Sequence, residues 1–402
     1  MILLTNTKII TPFYEIPDGF LVIKDKLIHF VGITERDIEE FNYFKNNSNK
    51  IIDLKAKISA PGLIDIHTHG ALGKDYSNSP DLLLEDAKFR VSKGVTSFVP
   101  TIGAMVPAEK IIESAIKLTK LIQKGVVGAK PLGINLEGPF LYPDYAGAAG
   151  PKYCSYEIDL QYLRRLQESI GKYLKIVTIS PELKESIKAI IYLKEKGVIL
   201  SIGHTNADYS ILDKAIRSGV KLVTHLYNTS PIPEQNISGV FIPGVNEYLM
   251  MRDDVMAEVI CDVKGIHIKP TVLKIILRCK GIDKTVLVTD SLITAGLPKN
   301  GKAFMPDGEE IYIKDGVNVQ SSGQISGSAM TMDLSVKSIM IHTDVNLRDG
   351  LLMATFNPAK VLGIQKDKGS IEVGKDADII VIDKDINVYM TIVEGKILFD
   401  CL

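Results

Sequence analysis

Short runs of aliphatic and β-branched residues, bounded by polar or glycine-containing turns, recur along the chain at intervals too long for hairpins. Residues 63–67, 97–101, 132–137, 175–180, 198–203, 221–225, 256–261 and 285–290 are of this kind. They are apolar almost throughout rather than alternating, which predicts strands buried on both faces, as in a parallel sheet. Residues 79–93, 107–124, 183–196 and 207–218 lie between several of them and carry helical spacing. Strand, loop and helix in repetition imply a parallel sheet covered by helices. About eight strands over roughly 300 residues fit a closed (β/α)₈ barrel. A doubly wound open sheet is the alternative, but no Gly-x-Gly-x-x-Gly follows the first strand.

Both ends of the chain read differently. Residues 3–4, 8–10, 19–23 and 27–31 are short strand-like runs between Pro and Gly turns, and 370–373, 378–383, 388–393 and 396–399 repeat that character. The Asn-rich stretch 42–50 reads as an exposed loop. The two ends are therefore expected to pair into one small β-sandwich domain, since chain termini often lie close together. The expected division is 1–58 and 361–402 for the small domain and 59–360 for the barrel.

Composition narrows the classes. The 402 residues are 46% hydrophobic and 24% charged, as in a folded globular protein. The 47 basic residues stand against 48 acidic ones, so no overall field favours nucleic acid or an anionic membrane. No apolar run approaches the ~18–20 residues of a membrane helix. The N-terminus lacks the basic and long apolar segments of a secretion signal. Four scattered cysteines without a Cys-x-x-Cys spacing point to reduced thiols in a cytoplasmic protein.

Polar residues interrupt the apolar runs at their C-terminal ends. His67 and His69 close the first run two positions apart, which puts both side chains on one face. Glu137, His204, His225 and Asp290 end four more. Barrel enzymes build their active sites at that end of the strands. Neutral imidazole and carboxylate are ligands for Zn²⁺, and also for Fe²⁺, Mn²⁺ or Co²⁺. A lone strand-end histidine is usually a structural residue and an Asp there often caps a helix, but five strand ends carrying donors outweigh that reading. A divalent cation acidifies water and polarises a carbonyl. Asp290 is the expected proton shuttle, and hydrolysis of an amide-like bond is the expected reaction. His29, His342 and the cysteines, Cys261 included, are expected to be packing or surface residues.

Pro61–His69 and Lys368–Asp378 resemble the amidohydrolase superfamily. Leu136-Glu-Gly-Pro-Phe-Leu141, Gly203-His-Thr-Asn-Ala-Asp208, Thr224-His-Leu-Tyr-Asn228 and Ser326-Gly-Ser-Ala-Met-Thr331 resemble, more narrowly, the N-acetylglucosamine-6-phosphate deacetylases. The resemblance runs through the whole chain. It implies a metal-dependent (β/α)₈ barrel with a small β domain from both termini, a homodimer, and removal of acetate from an amino-sugar phosphate. Glu137, His204 and His225 match the principal metal ligands, His67 and His69 the extra ligands of two-metal members, and Asp290 the catalytic acid/base. Asn228, Thr229, His267, Gly327 and Ser328 match substrate contacts.

Three positions depart from the family pattern. Ala149 stands where the family has a histidine that helps to hold the acyl group, and Asn236 falls near the family's phosphate-binding arginine. Residues 262–267 carry two more residues than the family's Asp-Gly-x-His. Losing a charge-assisted Arg–phosphate contact costs roughly 1.5–3 kcal/mol, on the order of 10–100-fold in affinity. Lys264, Arg252 and Lys152 are candidate replacements. Another N-acyl amino sugar or N-acyl amine is therefore the alternative substrate. A cyclic amidase is disfavoured because the fourth strand ends without a lysine, and a non-catalytic scaffold because every ligand is retained.

Overall fold

The computed structural model describes residues 1–149, 151–231, 239–240, 242–298, 301–305 and 308–402. Eight parallel strands follow one another around a barrel in chain order: Leu63–Thr68, Val95–Gly103, Ile134–Glu137, Leu174–Ile179, Ile199–Ile202, Leu222–Val223, Met256–Ile260 and Thr285–Val288. The last strand returns to the first through Asp290 N–H donating to the His67 carbonyl at 3.0 Å and His69 N–H donating to the Ser291 carbonyl at 2.8 Å. Alternate residues on each strand point inward and outward. Ile64, Ile66, Val99, Ile176, Leu222, Ile260, Val286 and Val288 fill the interior. Leu63, Phe98, Leu136, Val177, Leu200, Val259 and Leu287 face outward into a second core with the surrounding helices. The alternative of an open doubly wound sheet is thereby excluded.

The helices lie where apolar spacing puts them. Leu83–Val91, Ala108–Lys124, Ser186–Glu195 and Tyr209–Ser218 fall within the expected segments. Asp208 starts the last of these by accepting the backbone N–H of Ser210 and Ile211, a side-chain cap for otherwise unpaired donors.

The terminal segments join in one mixed sheet of seven strands, with Ile379–Ile382 from the C-terminal end pairing antiparallel to Lys50–Pro61. Leu4, Leu21 and Ile28 share a buried cluster with Ile379, Val381, Met390 and Ile392, so both halves of the sheet enclose one core. The small domain expected from both termini is thus built on one seven-stranded sheet. Two local expectations fail. The stretch 42–50 is not simply a loop: Ile38–Asn47 is helical, because Phe41 and Phe44, three residues apart, pack on Leu3, Phe20 and Val22. Residues 370–373 form no strand, although Ile371 is buried in the sheet's core. An antiparallel sheet of Lys302–Phe304, Glu310–Lys314, Val317–Gln320 and Ile325–Ser328 follows the eighth strand and was not expected. Asp315-Gly316 between its two central strands is a hairpin signal in the sequence.

Candidate active site

All six strand-end residues converge at the C-terminal mouth of the barrel. They fall into two donor sets that share Glu137. His67, His69, Glu137 and Asp290 form one, Glu137, His204 and His225 the other, and within each set the donor atoms lie within 4.8 Å of one another. His204 Nε2 is 3.0 Å and His225 Nε2 2.8 Å from Glu137 Oε1, while His69 Nε2 is 2.9 Å from Glu137 Oε2. Asp290 Oδ1 lies 3.3 Å from His69 Nε2 and 3.6 Å from His67 Nε2. His67 and His69 direct their Nε2 atoms at each other, 3.3 Å apart. Two imidazole nitrogens facing each other between carboxylates call for a cation or proton among them, and this borderline N/O donor set suits a divalent metal.

Local backbone turns aim these side chains inward. His204, His225 and Asp290 adopt φ of 54°, 26° and 45°, left-handed values that non-glycine residues hold only when the surroundings enforce them. Ser180 Oγ enforces one by donating to the His204 carbonyl at 2.7 Å, and the Tyr145 carbonyl accepts from His204 Nδ1 at 2.9 Å, leaving Nε2 for the cluster. Asp65 ties the first strand to the eighth: its Oδ2 accepts from Thr289 Oγ1 at 2.7 Å and from Arg90 at 3.1 Å. Burial raises the Asp65 carboxyl above its ordinary range, against the attraction of Arg90.

Electrostatics follow from this packing. Burial opposes a charged His67, but the carboxylates of Glu137 and Glu258 outweigh it and raise the imidazole well above its usual range. His69 rises to about 9, where burial is overcome by Asp290 and Glu137. Burial pushes the Glu137 and Asp290 carboxyls upward, and the adjoining histidines hold both below the ordinary value nonetheless.

Above the cluster opens a cavity of about 220 Å³, lined by Asn228, Thr229, His267, Ser326 and Gly327 and by the apolar Met105, Ala146, Ala148, Ile260, Ile266, Leu292 and Ile325. The longer 262–267 segment keeps His267 in that wall. Asp262 gathers it by accepting the backbone N–H of Ile266 and His267 and facing His267 Nδ1 at 3.1 Å. These bonds hold the Asp262 carboxyl down at about 2 although burial opposes them. The Gly327 carbonyl meets His267 Nε2 at 3.0 Å. Ser328 differs from expectation. It is fully buried, and its Oγ donates to the Thr289 carbonyl at 2.5 Å, so it supports the eighth strand from behind the wall.

Of the other sequence candidates, Asn236 lies outside the described residues, and Ala149 ends the short turn Gly147–Ala149. Arg252 is committed to Asp213 and Asp254, and Lys152 lies 5.0 Å from the Tyr153 ring centroid. His29 packs edge-on against Phe44, and His342 contacts the Asp262 carbonyl. Sequence reasoning missed Glu258, a fully buried carboxylate within the strand Met256–Ile260, 2.9 Å from His67 Nδ1. A charged residue in the middle of an apolar barrel strand was its signal.

A parallel barrel whose strand ends carry His-x-His, Glu, two single His and Asp defines a metal-dependent amidohydrolase. Residues 58–398 match the amidohydrolase family. The chain is 32% identical over 402 residues to the N-acetylglucosamine-6-phosphate deacetylase of Bacillus subtilis (strain 168), covering 99% of this chain and 97% of that one. It is 28% identical over 348 residues to the N-acetylgalactosamine-6-phosphate deacetylase of Escherichia coli O157:H7, covering 86% and 89%. The crystal structure of the N-acetylglucosamine-6-phosphate deacetylase from Pasteurella multocida superposes with a TM-score of 0.87 at 27% identity, covering 98% of each chain. The chain belongs to the amidohydrolase family and, within it, to the N-acetylglucosamine-6-phosphate deacetylases.

Proposed function

We propose that the protein hydrolyses the N-acetyl amide of N-acetylglucosamine 6-phosphate to acetate and glucosamine 6-phosphate. The observation that carries this reading is the convergence of both donor sets on the floor of one cavity with Asn228, Thr229 and His267 in its wall. Glu137, His204 and His225 would hold one divalent cation, and His67, His69, Glu137 and Asp290 a second. Zn²⁺ fits these donors best, with Fe²⁺, Mn²⁺ and Co²⁺ also compatible. Such a cation, when bound, polarises the amide carbonyl and acidifies water. Asp290 takes a proton from the attacking water as the C–O bond forms and returns it to the leaving nitrogen as the C–N bond breaks. His267, braced by Asp262, and Asn228 with the backbone of Thr229 orient the sugar phosphate. Gly327 borders the sugar.

The assembly included in this reading is a cytoplasmic homodimer. Val240, Ile242 and Met251, which follow Asn236 in the sequence, expose apolar side chains. Sedimentation at micromolar concentration is expected to give a mass of two chains.

A second reading, deacylation of another N-acyl amino sugar or N-acyl amine, is favoured by one observation. Among the described residues, the cavity wall carries imidazole, amide, hydroxyl and apolar groups but neither Lys nor Arg. Acetate release from N-acetylglucosamine 6-phosphate and from N-acetylglucosamine, side by side, separates the two. A preference for the phosphorylated sugar of about 100-fold or more, the worth of a strong charge-assisted contact, supports the first reading. Equal rates support the second. Release from neither sugar overturns the first.

A further inference from the structure

Glu258 is a costly residue to keep. It stands between Met256 and Ile260 on the seventh barrel strand, inside a barrel whose interior also holds Ile66, Leu222, Val286 and Val288. It is fully buried, and its Oε1 has no hydrogen-bond partner among the described residues. A buried carboxylate that is only half satisfied destabilises a fold unless something else requires it. Its other oxygen identifies the requirement. Oε2 lies 2.9 Å from His67 Nδ1, and the His225 backbone N–H approaches it at 3.4 Å. A carboxylate only accepts, so Nδ1 is the protonated nitrogen of His67. Its Nε2 faces His69, Glu137 and Asp290, so a cation bound among them would meet the Nε2 lone pair.

We propose that Glu258 is the positioning residue of the His67-containing donor set, fixing the tautomer and orientation of His67 and raising its strength as a donor to a divalent cation. A carboxylate behind a ligating imidazole does both, and losing such a partner typically costs about 10–100-fold in metal affinity. His204 has a neutral partner in this role, the Tyr145 carbonyl. His225 Nδ1 has none among the described residues. Charge is thus supplied behind His67 and not behind His204 or His225, which makes the cation held through His67 the one that Glu258 controls. The inference rests on the hydrolase reading only in requiring that the site binds a divalent cation.

The test is a Zn²⁺ titration of the full chain against a chromophoric chelator, for wild type, Glu258→Gln and Glu258→Leu. Both variants are expected to weaken one binding step by about 10–100-fold. In a His67→Asn background, Glu258→Gln is expected to add less than about twofold, because two residues acting through one contact are not additive. Thermal unfolding of the metal-free proteins supplies the structural control. The variants lose a half-satisfied buried carboxylate but also the acceptor of His67 Nδ1–H, so the diagnostic is a smaller gain in stability than wild type on adding Zn²⁺. Unchanged affinity in both variants, or an equal loss in the His67→Asn background, overturns the proposal. So does a metal-free variant that unfolds earlier while keeping the full Zn²⁺-induced shift, because Glu258 would then be a structural brace. If wild type takes up no cation at all, the hydrolase reading fails together with this one; failure confined to the variants leaves that reading standing.

Discussion

Asp290 combines two demands on one side chain. In the proposed reaction it must face the shared donor cluster and also exchange a proton with substrate in the cavity above. The strand end meets both by turning to φ 45° immediately after Val288 and Thr289, while Asp65 and Thr289 secure the strand beneath. Replacing Asp290 by Asn keeps the shape and removes the proton acceptor. Asp290→Asn is expected to lower kcat by about 10²–10⁴-fold while the Glu137, His204 and His225 set still holds its cation, which metal analysis of the same preparation checks. The six clustered residues could be read from the sequence because each ends an apolar run, and the ends of parallel strands meet at one mouth whatever the loops between them do. Glu258 could not be read that way. It sits in mid-strand, where chain order does not reveal that its neighbour across the barrel is His67.

At the scale of elements, the walls of the cavity come from segments whose order along the chain does not predict their meeting. The strand Ile325–Ser328 belongs to a small antiparallel sheet, and its Gly327 carbonyl meets His267 from the loop after the seventh barrel strand. Gly327 has φ 47°, and a Cβ there would lie 2.8 Å from the Asp290 carbonyl. Gly327→Ala is expected to cost about 1–3 kcal/mol in denaturant unfolding and to raise KM more than it lowers kcat. Asp262 makes a complementary prediction. Its carboxyl is held at about 2, below its unfolded value, so its stabilisation is present above the unfolded pKa and fades as pH falls through about 2. Asp262→Asn is therefore expected to unfold at lower urea than wild type from pH 8 down to about pH 4, with the gap closing toward pH 2. The motifs around Asn228 and His267 were recognisable in the sequence. That Ser328 serves the strand behind the wall was not, because Ser326, Gly327 and Ser328 are consecutive and only the path of the sheet decides which faces the cavity.

At the scale of the whole molecule, the two ends of the chain pair in the sheet that leads into the site. Lys50–Pro61 pairs with Ile379–Ile382 and leads, after Gly62, directly into the barrel strand that carries His67. Thr391 Oγ1 also donates to the Val91 carbonyl on the barrel's first helix. Removing residues 379–402 is expected to abolish cooperative thermal unfolding and Zn²⁺ uptake together, although no donor residue lies in the deleted segment. The proposed assembly hydrolyses an acetylated amino-sugar phosphate with a cation held at the barrel mouth. The most direct test is to quantify acetate and free amine from N-acetylglucosamine 6-phosphate before chelation, after chelation, and after Zn²⁺ is restored. Equal amounts of both products, lost on chelation and recovered with Zn²⁺, are the expected result. A folded, metal-loaded protein that releases neither, or whose turnover survives complete removal of the metal, would contradict it.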